Sequence, residues 1–448
     1  MARRNGPEQR PKGGQSVELD VVALDPSGDG IAEWPDGSEV HVPGALPGER
    51  IQAVIGHRNR QRARAYAQLE RVLSRSPSRR RAPCEHHGRC EGCPLMIADE
   101  PAQRRFKRAM LRDAYRLDVD RVVHDASREL GYRWSGKRVA GGVRRGVILG
   151  SYRRRTHVVA RMGQCLVDHP AIAECARQLE KLASDLDVAP YDEQAKTGLL
   201  RYVWFKTDGD EQVLACMVFA EQAAAEANEV AERLDKAAGV SWCTQTSTGN
   251  ALRGDQVEQL RGASTLTVPL GSVEGTVGPL GFLQPNPPLA ALAQQDVIAR
   301  PDGTPLTGTR ALDLFAGAGA TTALLKAQFE TVTPAEIYPE SAEQLGIEPE
   351  PASQVVGRLL EGPIEGRAVD LVVADPPRAG LGNELCGQLA ELGPRRINLM
   401  SCNAASLRRD LDRLVAPDGR YRLVGLRGYD TLPQTAHVEL VAWLQRRK

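Results

Sequence analysis

The chain contains no apolar run approaching the roughly 18 residues that a membrane-spanning helix needs. Its arginine-bearing start, MARRNGPEQRPKGG, lacks the apolar core of a secretory signal. Cysteine is scarce, with nine residues in 448, and an odd, thinly spread set argues against a disulfide framework. Metal or thiol chemistry is the better expectation. A surplus of one charge is missing too: 58 Lys and Arg stand against 57 Asp and Glu, a net charge of +1 that taken alone speaks against a polyanionic partner. What is present is length and apolar content, 448 residues at 42% hydrophobic, enough for several cores. These features predict a cytoplasmic, multidomain globular protein, monomeric and without membrane contact.

The neutral average hides an uneven distribution. Residues 1–50 carry 5 basic and 9 acidic side chains, residues 51–165 carry 27 and 10, and residues 166–448 carry 26 and 38. The middle segment therefore has a surplus of +17, the signature of a phosphate-binding surface.

Residues 1–15 are polar and rich in Gly and Pro and read as a disordered tail. Residues 16–74 alternate in short apolar runs cut by turn residues, which predicts a small β-barrel resembling an oligonucleotide-binding one, with Arg58, Arg60, Arg62 and Arg64 along its closing part. Residues 75–275 read as a central α+β domain that opens with a Ser/Pro/Arg linker and holds a basic helix near residues 102–116. Antiparallel strands follow, with Arg153, Arg154 and Arg155 at a tip suited to phosphate contacts. In residues 276–448, apolar strand runs are mostly followed by a loop and a helix, the pattern of a doubly wound, largely parallel sheet. Such a Rossmann-like sheet takes its ligands at the carboxyl ends of its strands.

Four constellations carry chemistry. Cys84, Cys90 and Cys93 lie on one loop, and Cys165 follows a later strand; four thiolates suit either tetrahedral zinc, with His86 and His87 as alternates, or an iron–sulfur centre. ALDLFAGAGATT is a strand running into a Gly-rich turn, where Gly317 and Gly319 admit a ligand to the backbone and Glu336 offers an acceptor for ribose hydroxyls. VDLVVADPPRAGL delivers Asp375 and Arg378 at a rigid Pro-Pro corner, an acceptor and a forked donor able to read the edge of a planar base. INLMSCNAASLRRDL places Cys402 before a helix, whose N-terminus is expected to depress its pKa and favour a nucleophilic thiolate.

Together, and in this order, these motifs with FLQPN (Phe282 to Asn286) and the terminal LPQTAHVE resemble the TRAM-containing, iron–sulfur RNA (uracil-5-)-methyltransferases, the bacterial 23S ribosomal RNA type in particular. The resemblance implies a TRAM barrel, a central domain with a [4Fe-4S] cluster on Cys84, Cys90, Cys93 and Cys165, and S-adenosylmethionine contacts from Gln284, Phe315, Glu336 and Asp375. It further implies that Cys402 adds to C6 of a flipped uracil in 23S ribosomal RNA, with transfer RNA the lesser alternative, and that Glu439, near His437, removes the C5 proton. Three features depart from the family pattern: Ala404 stands where proline is common, Ala320 where asparagine is common, and the stretch between Glu336 and Asp375 is short and shows no polar contact for the adenine. The competing expectations are an RNA-binding protein on this scaffold with weak or lost methyl transfer, and a zinc-bound structural RNA-binding protein.

Overall fold

In the computed structural model, residues 13–34, 37–59, 64–153, 156–247, 254–271, 273–363, 368–416 and 419–447 are described. Most of the expected tail, Arg60 and Arg62 of the barrel, and Arg154 and Arg155 lie outside these residues.

The predicted barrel is present. Five strands, Ser16–Leu24, Gly30–Glu33, Glu39–Val42, Arg50–Asn59 and Arg64–Ser74, close into a barrel, with Val21, Val40, Val42, Ile51 and Ile55 inside. The central unit is a seven-stranded sheet in which Leu200–Thr207 pairs antiparallel with Ser135–Val143 and with Val213–Phe219. Helices Pro170–Asp185 and Ala224–Arg233 cover one face through Ile172, Leu179, Val230 and the strand residues Val203, Phe205 and Met217.

The C-terminal sheet also has seven strands. Phe329–Ala335, Gly308–Leu314, Leu371–Ala374 and Arg396–Ser401 run parallel in that order, and Glu439–Arg446 joins antiparallel to the last. Helices on both faces explain why Leu371–Ala374 is buried along its whole length and reads as a continuous apolar run. The edge is supplied from far upstream: Val122–Val123 pairs with Tyr421–Tyr429. Helix Glu100–Tyr115, capped by Asp99 accepting from the Ala102 N–H at 2.8 Å, packs Met110 and Leu111 into the same core. Residues 100–123, read from the sequence as part of the central region, are therefore bound to the C-terminal sheet. Among the described residues no helix is long and apolar enough to cross a membrane.

The basic segment is not all surface. Arg138 is 2% exposed and paired with Asp168, Lys107 is 1% exposed and paired with Asp430, and Arg79 holds the buried Glu49 at 2.5 Å. Arg64 pairs with Glu39 at 2.8 Å on the barrel. Part of the +17 surplus thus neutralises buried carboxylates, while Arg153 is exposed beside the strand that ends at Tyr152.

Candidate active site and cysteine cleft

Strand Gly308–Leu314 ends in a turn whose backbone is under constraint. Phe315 has φ 63°, unfavourable for a residue with a side chain, and Gly317 has φ 55° with open space where a side chain would stand. Gly319, at φ 85°, caps helix Ala320–Lys326 and lies against Leu345, which a Cβ would meet at 2.5 Å. Glu336 ties this turn to the next strand: one carboxylate oxygen accepts from the Gly317 N–H at 2.8 Å, the other from Ile337 and Tyr338, each at 2.8 Å. Beneath the turn, Thr322 donates to the buried Asp313 at 2.6 Å. Burial pushes the Asp313 carboxyl up to about 7, the Thr322 hydrogen bond opposes this, and Asp375 and Glu336 add to it. Gln284 is half-buried in a segment anchored by the Trp134 N–H, which donates to the Pro285 carbonyl at 2.8 Å. Ile337 and Tyr338, missed from the sequence, are 54% and 67% exposed immediately after Glu336; large apolar residues left open beside a ligand turn are the signal that marks them.

The second group is assembled by strand register. Ser401 pairs with Leu440, so the next residue of one strand, Cys402, stands beside the preceding residue of its antiparallel neighbour, Glu439. Leu371–Ala374, parallel to Arg396–Ser401, delivers Asp375 and Arg378 to the same end of the sheet. Cys402, Asp375 and Arg378 are all exposed, although protein packed around the Asp375 carboxyl pushes it up to about 6. Glu439 is 6% exposed with Oε1 unpartnered; burial and then Asp375 raise its pKa well above the ordinary carboxylate range.

The expected lowering of the Cys402 pKa is corrected here. Crowding by protein, then the Glu439 and Asp375 carboxylates, push its thiol up, and Arg378, hydrogen-bonded to it, is the group that opposes the shift. Cys402 precedes the helix Ala404–Leu414, whose N-cap is Asn403; that side chain accepts from Ala405 at 3.0 Å and donates to the Arg378 carbonyl at 2.9 Å. The cap and this tie stiffen a loop in which Ala404 replaces the family's proline. His437 is exposed, its pKa lowered by desolvation and by Arg378, Lys107 and Arg133.

Cys84, Cys90, Cys93 and Cys165 line one cleft with His86, His87, Met96, Arg133 and Val167. The thiols feel one another: desolvation first, then Cys165 and the other two, push Cys93 up to about 12. His86 Nε2 is buried in the wall without a hydrogen bond, although the Glu85 carboxylate lies 3.3 Å away. A soft, sulfur-rich donor set in one concavity fits a thiolate-bound metal centre. Among the described residues, however, no three His, Cys, Asp or Glu side chains converge as a metal-holding group.

The C-terminal sheet is Rossmann-like, with a constrained Gly turn at the carboxyl end of the strand Gly308–Leu314. A solved structure of Pyrococcus abyssi tRNA (uracil-54, C5)-methyltransferase in complex with S-adenosyl-L-homocysteine superposes with TM-score 0.73 at 22% identity, covering 96% of this chain and 100% of that one. An RNA methyltransferase of Geobacter sulfurreducens is 31% identical over 461 residues, covering 97% of this chain and 91% of the relative. One from Parasynechococcus marenigrum is 31% identical over 476 residues, covering 100% and 99%. No protein-family model matches the chain. At this identity and coverage the chain belongs to the RNA methyltransferase family, and it is an enzyme.

Proposed function

We propose that the enzyme methylates C5 of a uridine in RNA, with S-adenosylmethionine as donor. One observation carries the reading: Cys402 and Glu439 stand side by side through the Ser401–Leu440 register, with Asp375 and Arg378 at the same end of the sheet. Uracil C5 is a poor nucleophile until a thiolate has added to C6, and only a base beside the nucleophile can then take the C5 proton.

Arg378 holds Cys402 toward its thiolate form, and the thiolate adds to C6. Asp375 and Arg378 present an acceptor and a donor to the pyrimidine edge. S-adenosylmethionine supplies the electrophilic methyl group that C5 takes up. Glu439, buried with a free oxygen, then accepts the C5 proton as the C6–S bond breaks and Cys402 leaves. Gln284, Phe315, Gly317, Gly319 and Glu336 form the cofactor side, with Ile337 and Tyr338 as apolar cover in place of the polar adenine contact the sequence lacks. Arg153, with Arg154 and Arg155, serves the RNA backbone.

The cysteine cleft is read as the seat of a [4Fe-4S] cluster, whose bonds to Cys84, Cys90, Cys93 and Cys165 would tie together two loops distant in sequence. Ribosomal RNA is the proposed substrate on the motif resemblance. Cys402→Ala is expected to abolish methylation, and RNA carrying 5-fluorouridine is expected to form a denaturant-stable adduct on Cys402. Mass-spectrometric mapping of 5-methyluridine in 23S ribosomal and transfer RNA transcripts after incubation identifies the substrate. Undiminished methylation by Cys402→Ala would reject the mechanism.

A further inference from the structure

One buried polar network stands outside the proposed reaction. The segment between strands Tyr421–Tyr429 and Glu439–Arg446 leads directly to Glu439, and it is clamped from the cysteine side. Gln434 is fully buried at φ 69°, a left-handed conformation unfavourable for a residue with a side chain. Every one of its polar groups is bonded. Its N–H donates to Gln103 Oε1 at 2.9 Å, and its Oε1 accepts from Gln103 Nε2 at 2.8 Å and from Arg80 at 3.2 Å. Its Nε2 donates to the Glu129 carbonyl at 3.2 Å and carboxylate at 3.1 Å. Its carbonyl accepts at 2.9 Å from the N–H of Leu95, two positions after Cys93.

The neighbours repeat the pattern. The Tyr132 hydroxyl donates to the Pro433 carbonyl at 2.8 Å, and Lys107 bonds Asp430 and, at 3.2 Å, the Leu432 carbonyl. The Leu432 side chain belongs to the apolar cluster of Met96, Tyr132 and Val167 that Cys84, Cys93 and Cys165 also join. A fully satisfied buried network admits one arrangement of the backbone it holds. Glu439 follows Gln434 by five positions.

We infer that Gln434 is a positioning residue for Glu439, and that through Leu95 and Leu432 the folded cysteine loop governs the final proton-abstraction step. This rests on the uracil-C5 reading. In that step the C5–H bond breaks, its proton passes to the Glu439 carboxylate, the electron pair forms the C5–C6 double bond, and the C6–S bond breaks to release Cys402 as thiolate. Thiolate addition and methyl uptake precede it and do not use Glu439. Loosening Gln434 therefore slows release while sparing methyl transfer, and the methylated covalent complex accumulates. A displacement of about 1 Å at a reacting group can cost about 100-fold in rate.

The test uses the full-length protein, S-adenosylmethionine, and 23S ribosomal and transfer RNA transcripts. Single-turnover methyl transfer and denaturant-stable RNA–protein complex are both measured per folded protein. Gln434→Ala and Leu432→Ala, the latter trimming the side chain that packs in the cysteine-side cluster, are each expected to raise the complex at least about 10-fold over wild type while methyl transfer falls less than about 3-fold. Gln103→Ala, which leaves the loop sequence intact, gives the same reading if Gln434→Ala does not fold. Glu439→Gln marks the fully trapped case. If Glu439→Gln traps the complex and the Gln434 and Gln103 variants show only a proportional loss of both steps, the inference is overturned and the uracil reading stands. A normal release step in Leu432→Ala would overturn the link to the cysteine loop. Wild-type turnover by both Cys402→Ala and Glu439→Gln would reject the uracil reading itself, and the inference with it.

Discussion

Asn403 donates from Nδ2 to the Arg378 carbonyl at 2.9 Å, so the loop bearing Cys402 and the loop bearing Asp375 and Arg378 form one unit. Its Oδ1 meanwhile caps the helix Ala404–Leu414 through Ala405 at 3.0 Å. One side chain performs two separable tasks, and two substitutions divide them. Asn403→Asp keeps the capping oxygen and loses the donor, so its urea midpoint is expected to stay near wild type while kcat falls. Asn403→Ala loses both, and its stability is expected to drop by about 0.5–2 kcal/mol as well. Equal kcat in Asn403→Asp and wild type would show that the tie does not organise the site.

The raised Cys402 pKa fixes the direction of the pH dependence. In the proposed mechanism the thiolate attacks, and the thiol pKa is raised, so kcat/KM and the rate of Cys402 alkylation by iodoacetamide are both expected to climb through the alkaline region. Arg378 opposes the shift. Arg378→Leu should move both curves to higher pH, with about a tenfold loss of alkylation rate at fixed pH for each unit moved. Arg378→Lys should restore part of it. Superimposable alkylation curves for wild type and Arg378→Leu would remove Arg378 from thiolate control.

Asp313, beneath the Gly turn, and Asp375, at the end of the neighbouring strand, carry a pH signature of their own. Asp375 and Asp313 have carboxyls pushed up to about 6 and about 7, so each is protonated at acidic pH and ionised above those values. Ionised carboxylates attract the cationic sulfonium of S-adenosylmethionine and exert no such pull on the neutral sulfur of S-adenosylhomocysteine. Calorimetry from about pH 5.5 to about pH 8 is expected to show S-adenosylmethionine binding tightening by about tenfold or more. S-adenosylhomocysteine should stay nearly flat. Parallel curves for the two ligands would mean that neither carboxylate faces the sulfur.

Much of this was legible in the sequence, for physical reasons that differ by element. Leu371–Ala374 is a continuous apolar run because the sheet is covered on both faces, and the closely spaced strands and turns of residues 16–74 could satisfy their edges only by closing. The four cysteines were visible as a motif and line one cleft. What escaped depends on contacts between distant segments. Local sequence places Cys402 before a helix and suggests a lowered pKa, but the groups that decide its sign include Glu439 and Asp375, brought in by strand pairing. Lys107 reads as one more cation on a basic helix, yet the fold buries it against Asp430. Gln434 lies within the LPQTAHVE motif, but nothing local shows the clamp on it, since all its side-chain partners lie hundreds of positions upstream.

The Lys107–Asp430 pair makes the energetic side of that burial measurable. Desolvation pulls the Lys107 pKa down, and Asp430, by charge and hydrogen bond, opposes the shift. Removing one partner leaves the other charge buried and alone, so Lys107→Met is expected to lower stability by about 3–5 kcal/mol in urea unfolding. The charge-free pair Lys107→Met with Asp430→Asn has no stranded ion, and much of the loss should be recovered. The double variant keeps the apolar packing of helix Glu100–Tyr115 but lacks the strong bond that anchors the segment before Glu439. Its stability should therefore return further than its product release. If stability and release recover in the same proportion, the ion pair serves folding alone and does not contribute to the placement of Glu439.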